Sequence, residues 1–542
     1  MFLVIPRGLQ SPRNLLLKTY MTTSTIDIRA KLLNRNPATG ELLSEHPIAP
    51  ADEVRASVLR ARAAQPAWNA LGINRRIAVL RKFQKLLLRD RESLARKITA
   101  EAGKPLVESL LSEVIVALDA ARFCAENVHR ALRVEAVNHG NPVLRKRARL
   151  IYEPVGVLGI ISPWNYPFST PTTETLAALV TGNTVVLKPS ELTPTSALEL
   201  QRLLHESGVP RDAFAVVLGD GSTGAALIES PIDKLIFTGS VATGKRVAEA
   251  AGRRLLPVVL ELGGKDPMLV LDDADVEVAS SAAVWGGMMN AGQTCLSVER
   301  CYVHRKIFDL FVAACAEKIL RLKVGNGADP ATDVGPLISE KQLQIVESQI
   351  EDARSRGAKT LAGGKRLTEL GPNFYAPTLI TGVTSEMRIM QDETFGPVLP
   401  IIPFSTDTEA VHLANASEFG LSASVFSKNN TRAEAIARQL HAGAVLVNDV
   451  VVSFAIPEAP HGGTRVSGIG RTHGLLGMRE MLNPKYIATD SIPGMKKVWW
   501  YPYGAAFTRQ MSAFADLLFS KTSAHRINAA IKSSASLWRR KL

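Results

Sequence analysis

VGVLGIIS at 155–162, NTVVLKPS at 183–190, AFAVVLG at 213–219, KLIFTGS at 234–240 and PVVLELG at 257–263 are five short, β-rich apolar runs. Helical segments of about a dozen residues separate several of them, and such alternation predicts a parallel sheet with crossover helices. The expected class is α/β. Sheets of this kind bind nucleotides at the carboxyl ends of their strands.

Outward from this core, residues 266–455 read as a second α/β unit, with DPMLVLDDADVEVA, RCYVHRKIFDLFVAACAEKIL and a strand near 399–404. Towards the N-terminus, LNRNPATGEL at 33–42 reads as a hairpin with a Thr-Gly turn. From 51 to 133 the apolar spacing is helical, with Asp52 as a start signal and Gly103-Lys104-Pro105 as a stop; residues 106–132 give one more long helix. RVEAV and PVLRKRARLIYEPVG, joined by a turn at Asn138–Asn141, read as two strands extending from the body, and KYIATD as a closing strand. Both are candidates for contact with a second subunit.

The chain has 542 residues, 46% of them apolar and 21% charged, which fits a globular protein of two or three domains. No run of about 18 uninterrupted apolar residues predicts a membrane-spanning helix. Cys124, Cys295, Cys301 and Cys315 show no CxxC spacing, which argues against zinc and against a disulfide framework. No metal is expected, and the compartment is expected to be reducing and cytoplasmic. The net charge of +13 sits in the ends: residues 1–20 carry +3 and residues 491–542 carry +8, leaving +2 for the body. A nearly neutral body argues against a nucleic-acid partner.

Residues 285–301 read WGGMMNAGQTCLSVERC. Small and flexible residues precede Cys295, so the backbone can bend sharply and approach a ligand, as a nucleophile requires. The bland alternative is a small buried hydrophobe. Glu261 ends an apolar run before two glycines; burial there either raises its pKa, as suits a general base, or is relieved by a salt bridge to Lys265. Asn165, in IISPWNYPF, ends another apolar run; its amide could donate to an oxyanion or could simply make a turn before Pro167. Lys188 and Glu191 end a third, placed for ribose hydroxyls or as a surface ion pair. Gly219–Gly224 matches G-x-G-x-x-G but lacks an acidic strand end about 20 residues later. Ser240 and the helix opening near Thr243 are the better pyrophosphate contact.

PWNYPF at 163–168, KPSE at 188–191, FTGS at 237–240, ELGGKDP at 261–267, GQTC at 292–295 and ETFGPV at 393–398, in this order, resemble the aldehyde dehydrogenase superfamily over roughly residues 33–490. The resemblance implies a Rossmann-type dinucleotide-binding domain at 33–132 and 151–263, a catalytic domain at 264–478, and oligomerisation strands at 133–150 and 479–490. It implies Cys295 as nucleophile, Asn165 with the Cys295 N–H as oxyanion hole, and Glu261 as the base that hydrolyses a thioester. It implies cofactor contacts at Trp164, Lys188, Glu191, Gly239, Ser240, Gly244, Glu393 and Phe395, and gives the Gly221 loop to the adenine side. NAD is the expected cofactor because Glu191 would repel a 2′-phosphate, although related enzymes do not obey this rule strictly and NADP stays open. A homodimer or homotetramer is implied.

Phe168, Trp285, Leu296 and Phe454 are expected at the substrate entrance, which suggests an apolar aliphatic or aromatic aldehyde. Position 297 is Ser, whereas many succinate-semialdehyde relatives carry a second Cys there; Arg300 or Arg465 could still bind a carboxylate, so semialdehydes stay open. A CoA-acylating enzyme is a rival that Glu261 argues against, and a non-enzymatic binding protein is a more distant one. Two extensions flank the core. Residues 1–32 begin apolar and basic, but the apolar run before Pro6 is too short for a secretory signal, and a start at Met21 is the preferred reading. In 491–542, Phe507, Met511, Phe514 and Leu518 fall on one helical face, continued less cleanly by Ile527, Ile531 and Trp538; a basic amphipathic helix fits either an anionic membrane or the protein's own surface.

Overall fold

The computed structural model describes residues 30–138, 146–494, 496–497, 499–524 and 526–527. Residues 139–141 of the turn read at 138–141, most of the N-terminal extension, Ile531 and Trp538 lie outside them. Two compact units emerge. One comprises the described residues up to Leu132 together with Pro154–Asn483; the other comprises Arg133–Glu153 and the described residues from Pro484 onward.

β1 (Lys31–Arg35) and β2 (Leu42–Pro47) pair antiparallel as the expected hairpin. In the smaller unit, β3 (Glu135–Val137) and β4 (Lys146–Pro154) pair antiparallel. The five runs of the first sheet become β5 (Val157–Ile161), β6 (Thr184–Lys188), β7 (Phe214–Val216), β8 (Lys234–Thr238) and β9 (Val258–Glu261). They lie parallel in the order β9-β8-β5-β6-β7. The chain goes from β5 to β6 on one side and returns to β8 on the other. That reversal opens a crevice at the carboxyl ends of β5 and β8, where such sheets take ligands.

The second sheet contains β10 (Asp266–Val270), β11 (Val298–His304), β12 (Lys359–Ala362), β13 (Thr378–Thr381), β14 (Val398–Phe404), β15 (Ser422–Phe426) and β16 (Ala444–Val447), in the order β12-β13-β14-β11-β10-β15-β16. All pairs but β12–β13 are parallel. β5, β6, β10 and β11 are buried along their whole length, as strands covered on both faces must be. β17 (Gly468–Ile469) departs from the expected segmentation. It comes from the segment read as catalytic, yet it pairs antiparallel with β9 and closes the first sheet beside Glu261. β18 (Leu482–Asp490) joins β4 and β3 in the order β18-β4-β3.

The long helix expected at 106–132 contains a π-helical turn at Ser109–Ile115. Such turns are uncommon and favour functional sites. The helix Ser169–Val180 is buried at every position. The helix Ala505–Phe519 carries the four apolar residues expected on one face; Phe507 is buried and Met511, Phe514 and Leu518 are half-buried. No helix among the described residues is long and apolar enough to cross a membrane.

Candidate active site

Three loops distant in sequence interlock through their backbones. The chain enters Cys295 through three left-handed residues: Asn290 (φ 53°), Ala291 (54°) and Gly292 (72°). For the two non-glycines this costs about 1 kcal/mol or more each and persists only where surroundings enforce it. The Asn290 N–H donates to the Glu108 carboxylate at 3.0 Å, and its side-chain amide donates to the carbonyls of Asn165 and Gln293, each at 3.1 Å. A Cβ on Gly292 would lie 2.0 Å from the Gly396 carbonyl oxygen, so only glycine lets the 393–398 loop seat here. The Gly264 N–H donates to Glu393 Oε1 at 3.1 Å, which ties that loop to the end of β9. All of this gathers where the carboxyl ends of β5, β8 and β9 meet the amino ends of β10, β11 and β14.

Two buried ion pairs hold the loops. Lys104 Nζ donates to Glu113 Oε1 and to the Asn165 carbonyl, both at 2.7 Å, while Glu113 Oε2 accepts the N–H groups of Phe168 (3.1 Å) and Ser169 (2.7 Å). Lys265 Nζ reaches Glu299 Oε2 at 2.5 Å and Thr394 Oγ1 at 2.9 Å, and Glu299 accepts the N–H groups of Thr394 and Phe395 at 2.8 Å each. Lys265 is therefore engaged away from Glu261, and the salt bridge weighed from sequence does not form. Nothing in the sequence near Lys104 or Glu299 points to these roles; each is defined by a partner on another element.

A cavity of 880 Å³ occupies the junction. Trp164, Asn165, Glu191, Gly239, Ser240, Glu261, Trp285, Cys295, Leu296, Glu393, Phe395 and Phe454 line it. Four expected residues do not. Phe168 is fully buried and does not line the cavity. Lys188 is buried with Nζ 3.4 Å from Glu191 Oε2, so it orients that carboxylate from behind. Gly244 packs on Leu262, which a Cβ would meet at 2.4 Å. Gly221 has open space around its Cα, so nothing there requires a glycine.

Asn165 is buried, and its amide donates to the Gln293 carbonyl at 3.1 Å, two residues from Cys295. An amide carries two N–H donors, which leaves one for a ligand. Glu261 is 4% exposed and neither carboxylate oxygen has a hydrogen-bond partner. Burial, with Glu174 nearby, pushes its pKa well above the usual carboxylate range. His461 Nε2 lies 3.8 Å from Glu261 Oε2, but burial lowers that imidazole to about 4 and leaves it neutral. The Cys295 thiol is pushed up by burial and then by the carboxyls of Asp266, Glu393 and Glu261. Burial raises Glu393 and Asp266 to about 8 each. The Glu261 carboxyl and the Cys295 thiol are thus both biased towards their protonated forms. The sequence did not mark His461 or the neighbouring His473; Phe454 packs edge-on against both rings, with centroids 5.0 and 4.6 Å away.

The residues expected to contact a cofactor, Trp164, Glu191, Gly239, Ser240, Glu393 and Phe395, share this one cavity. Ser240 caps the helix Val241–Gly252, its Oγ accepting the Thr243 N–H at 3.3 Å, and this places a helix N-terminus beside the wall where an anion would bind. Glu191 lines the cavity with its carboxylate about half exposed. Trp164 and Phe395 meet edge-on with centroids 5.4 Å apart. Among the described residues no group of His, Cys, Asp and Glu is placed to hold a metal, and the four cysteines are free thiols.

Residues 26–487 match the model described as "Aldehyde dehydrogenase family". A putative succinate-semialdehyde dehydrogenase [NADP(+)] of Mycolicibacterium smegmatis is 39% identical over 478 residues, 88% of this chain and 92% of that protein. A 4,4'-diapolycopene aldehyde oxidase of a Methylomonas species is 38% identical, covering 90% of this chain and 91% of its own length. Among solved structures, the NAD-dependent aldehyde dehydrogenase from Sinorhizobium meliloti superposes with a TM-score of 0.83 at 36% identity, over 87% of this chain and 93% of that one. The NAD+ complex of a Bacillus cereus aldehyde dehydrogenase gives 0.82 at 35% identity, over 85% and 93%. With its six motifs folded into a single cavity and its matched segment spanning most of its length, this chain belongs to the aldehyde dehydrogenase family.

Proposed function

We propose that this protein oxidises apolar aldehydes to carboxylic acids with a nicotinamide dinucleotide, NAD in preference to NADP. The carrying observation is the placement of Cys295, Asn165 and Glu261 on one cavity whose other walls include Leu111, Ile115, Trp285, Leu296, Val451 and Phe454. Cys295 attacks as the thiolate. The Asn165 amide and the Cys295 N–H hold the oxyanion. When bound, the nicotinamide supplies the two-electron oxidant. Cys295 then carries the acyl group as a thioester, and Glu261 takes a proton from the water that hydrolyses it. That need for a hydrolytic base argues against acyl transfer to CoA.

The names of relatives favour a semialdehyde as the second reading. The cavity supports it less well. Among the described residues on its wall Lys341 is the one cation. Arg300 donates to the carbonyls of Lys265, Leu413 and Ala414, and Arg465 to those of Asn415 and Ser417; neither lines the cavity. A buried carboxylate without a partner would cost about 2 kcal/mol or more. Initial rates with hexanal, decanal, benzaldehyde and succinate semialdehyde decide this: kcat/KM for decanal should exceed that for succinate semialdehyde, and the opposite order overturns the apolar reading.

The smaller unit supports self-association. β18 is an outer strand of its sheet and its residues from Asn483 to Asp490 are exposed or half-buried. An uncovered strand edge pairs readily with another chain, so a homodimer or homotetramer is read here. Trp500, Tyr501, Phe519 and Ile527 remain exposed amid the basic C-terminal charge, which supports peripheral contact with an anionic membrane. Sedimentation of the full chain with phosphatidylserine vesicles, compared with a chain ending near 494, tests that contact.

A further inference from the structure

A general base must be ionised for part of each cycle, and a buried carboxylate that meets no hydrogen-bond donor is costly. Both oxygens of Glu261 are buried without a partner. Two neighbouring donors are engaged elsewhere. The Thr472 N–H donates to the His461 carbonyl at 2.8 Å, and Arg471 Nη1 donates to the carbonyls of Gly463 and Gly470 at 2.8 and 2.7 Å.

His461 lines the same cavity, and its Nε2 stands 3.8 Å from Glu261 Oε2. That is about 1 Å longer than a hydrogen bond. Its backbone is pinned by two mutual hydrogen bonds with Thr472, each 2.8 Å. Its ring is pinned edge-on to Phe454, with centroids 5.0 Å apart, and to His473 at 5.7 Å. On the other side of the carboxyl, a Cβ on Gly462 would lie 2.8 Å from Oε1. The imidazole and the Gly462 backbone thus bracket the carboxyl, with Oε2 towards the ring. A small rotation of the Glu261 side chain closes the gap.

Burial, and then the Arg471 charge, lowers His461 to about 4. The imidazole therefore meets the carboxylate as a neutral ring with one N–H. A neutral donor stabilises the ionised base and leaves it able to take a proton. A cation at the same place would hold it in a permanent ion pair and depress its pKa.

We propose that His461 is a positioning residue for the hydrolytic step: its Nε2–H donates to the ionised Glu261 carboxylate and holds the base in its reactive form. This rests on the reading of Glu261 given above. The ionisable groups facing the pair are Glu174 on the buried helix Ser169–Val180, Cys295, Arg471, His473, and Cys124 across the small void beside His473. Glu174 opposes ionisation of Glu261 and Arg471 favours it. His473 is neutral, lowered to about 3 by burial.

His461→Phe keeps a ring against Phe454 and His473 and removes the N–H. Rapid mixing of the full-length protein with NAD and decanal, from pH 6 to 9, reads the NADH burst and the hydrolysis that follows it separately. A donor to the charged form lowers a carboxyl pKa, so its loss raises it. The hydrolysis limb should move to higher pH by about one unit, an approximately tenfold loss of kcat below it, while the burst keeps its amplitude and its own pH dependence. His461→Gln, whose amide can donate, should recover most of that loss. In a Glu261→Gln background, His461→Phe should slow hydrolysis no further. With 15N-labelled histidine, the wild-type protein should show His461 neutral with its proton on Nε2. A hydrolysis limb that stays in place in His461→Phe, a burst limb that moves with it, or a wild-type proton on Nδ1 overturns the proposal; the last holds even if no variant folds. Wild-type hydrolysis in Glu261→Gln itself overturns the reading of Glu261 as the base instead.

Discussion

Gly264 and Cys295 touch backbone to backbone: a Cβ on Gly264 would stand 2.5 Å from the Cys295 carbonyl oxygen and 2.8 Å from Asp266 Oδ1. The turn that follows Glu261 therefore sets the height of Cys295, the nucleophile of the proposed reaction. Gly264→Ala must push the Cys295 loop outward. A misplacement of about 1 Å is worth about a hundredfold in rate. We expect kcat/KM for decanal to fall by about that factor while thermal unfolding shifts by only a few degrees. Retained activity would show that the loop yields freely.

Because Glu261 and Cys295 are both pushed above their ordinary pKa values, the active forms are the deprotonated ones and appear as pH rises. Turnover should be low at pH 6 and climb through neutrality to the alkaline side. In Glu261→Gln the NADH burst should survive at each pH while hydrolysis stalls. A turnover that declines from pH 6 to 9 contradicts the assignment.

The same burial predicts which thiol reacts. Cys124, Cys301 and Cys315 are buried and Cys295 is half-buried at the cavity. Iodoacetamide should label Cys295 alone, faster at pH 9 than at pH 7, because the thiolate is the nucleophile. Intact-mass and peptide mass spectrometry read the site and its rate. Prior addition of decanal with NAD should protect it.

Lys104 and Glu113 form an ion pair with both side chains at 0% exposure. Lys104→Met leaves a carboxylate buried without its partner, a loss of about 3–5 kcal/mol. Thermal unfolding should register it, together with a fall in kcat, since the pair also carries the Asn165 loop. The double variant Lys104→Met with Glu113→Gln should regain part of the stability.

Glu191 lines the cavity, and in the proposed function its carboxylate takes a ribose hydroxyl and repels a 2′-phosphate. Glu191→Thr should raise kcat/KM for NADP relative to NAD by about tenfold, equivalent to about 1.4 kcal/mol. An unchanged ratio would move cofactor choice elsewhere on the rim.

Much of this could be read along the chain. The five parallel strands of the first sheet fall within the apolar runs at 155–263, because strands buried on both faces must be continuously apolar. Cys295, Glu261 and Asn165 could be picked out because each sits at or just beyond the end of a regular element, beside a glycine- or proline-marked turn. The chain alone thus determined the α/β class, the parallel sheet and the identity of the groups that meet at the cavity.

Contacts across the fold decided the rest. Lys104 looks like a helix-stop residue and Glu299 like a strand acid until their partners Glu113 and Lys265 arrive from elsewhere. Phe168 reads as an entrance residue and is fully buried away from the cavity wall instead. β17 completes the first sheet from more than 200 residues downstream of β9. Local pattern records which face of an element is apolar. A buried charge depends on the group it meets, and folding alone brings that group near.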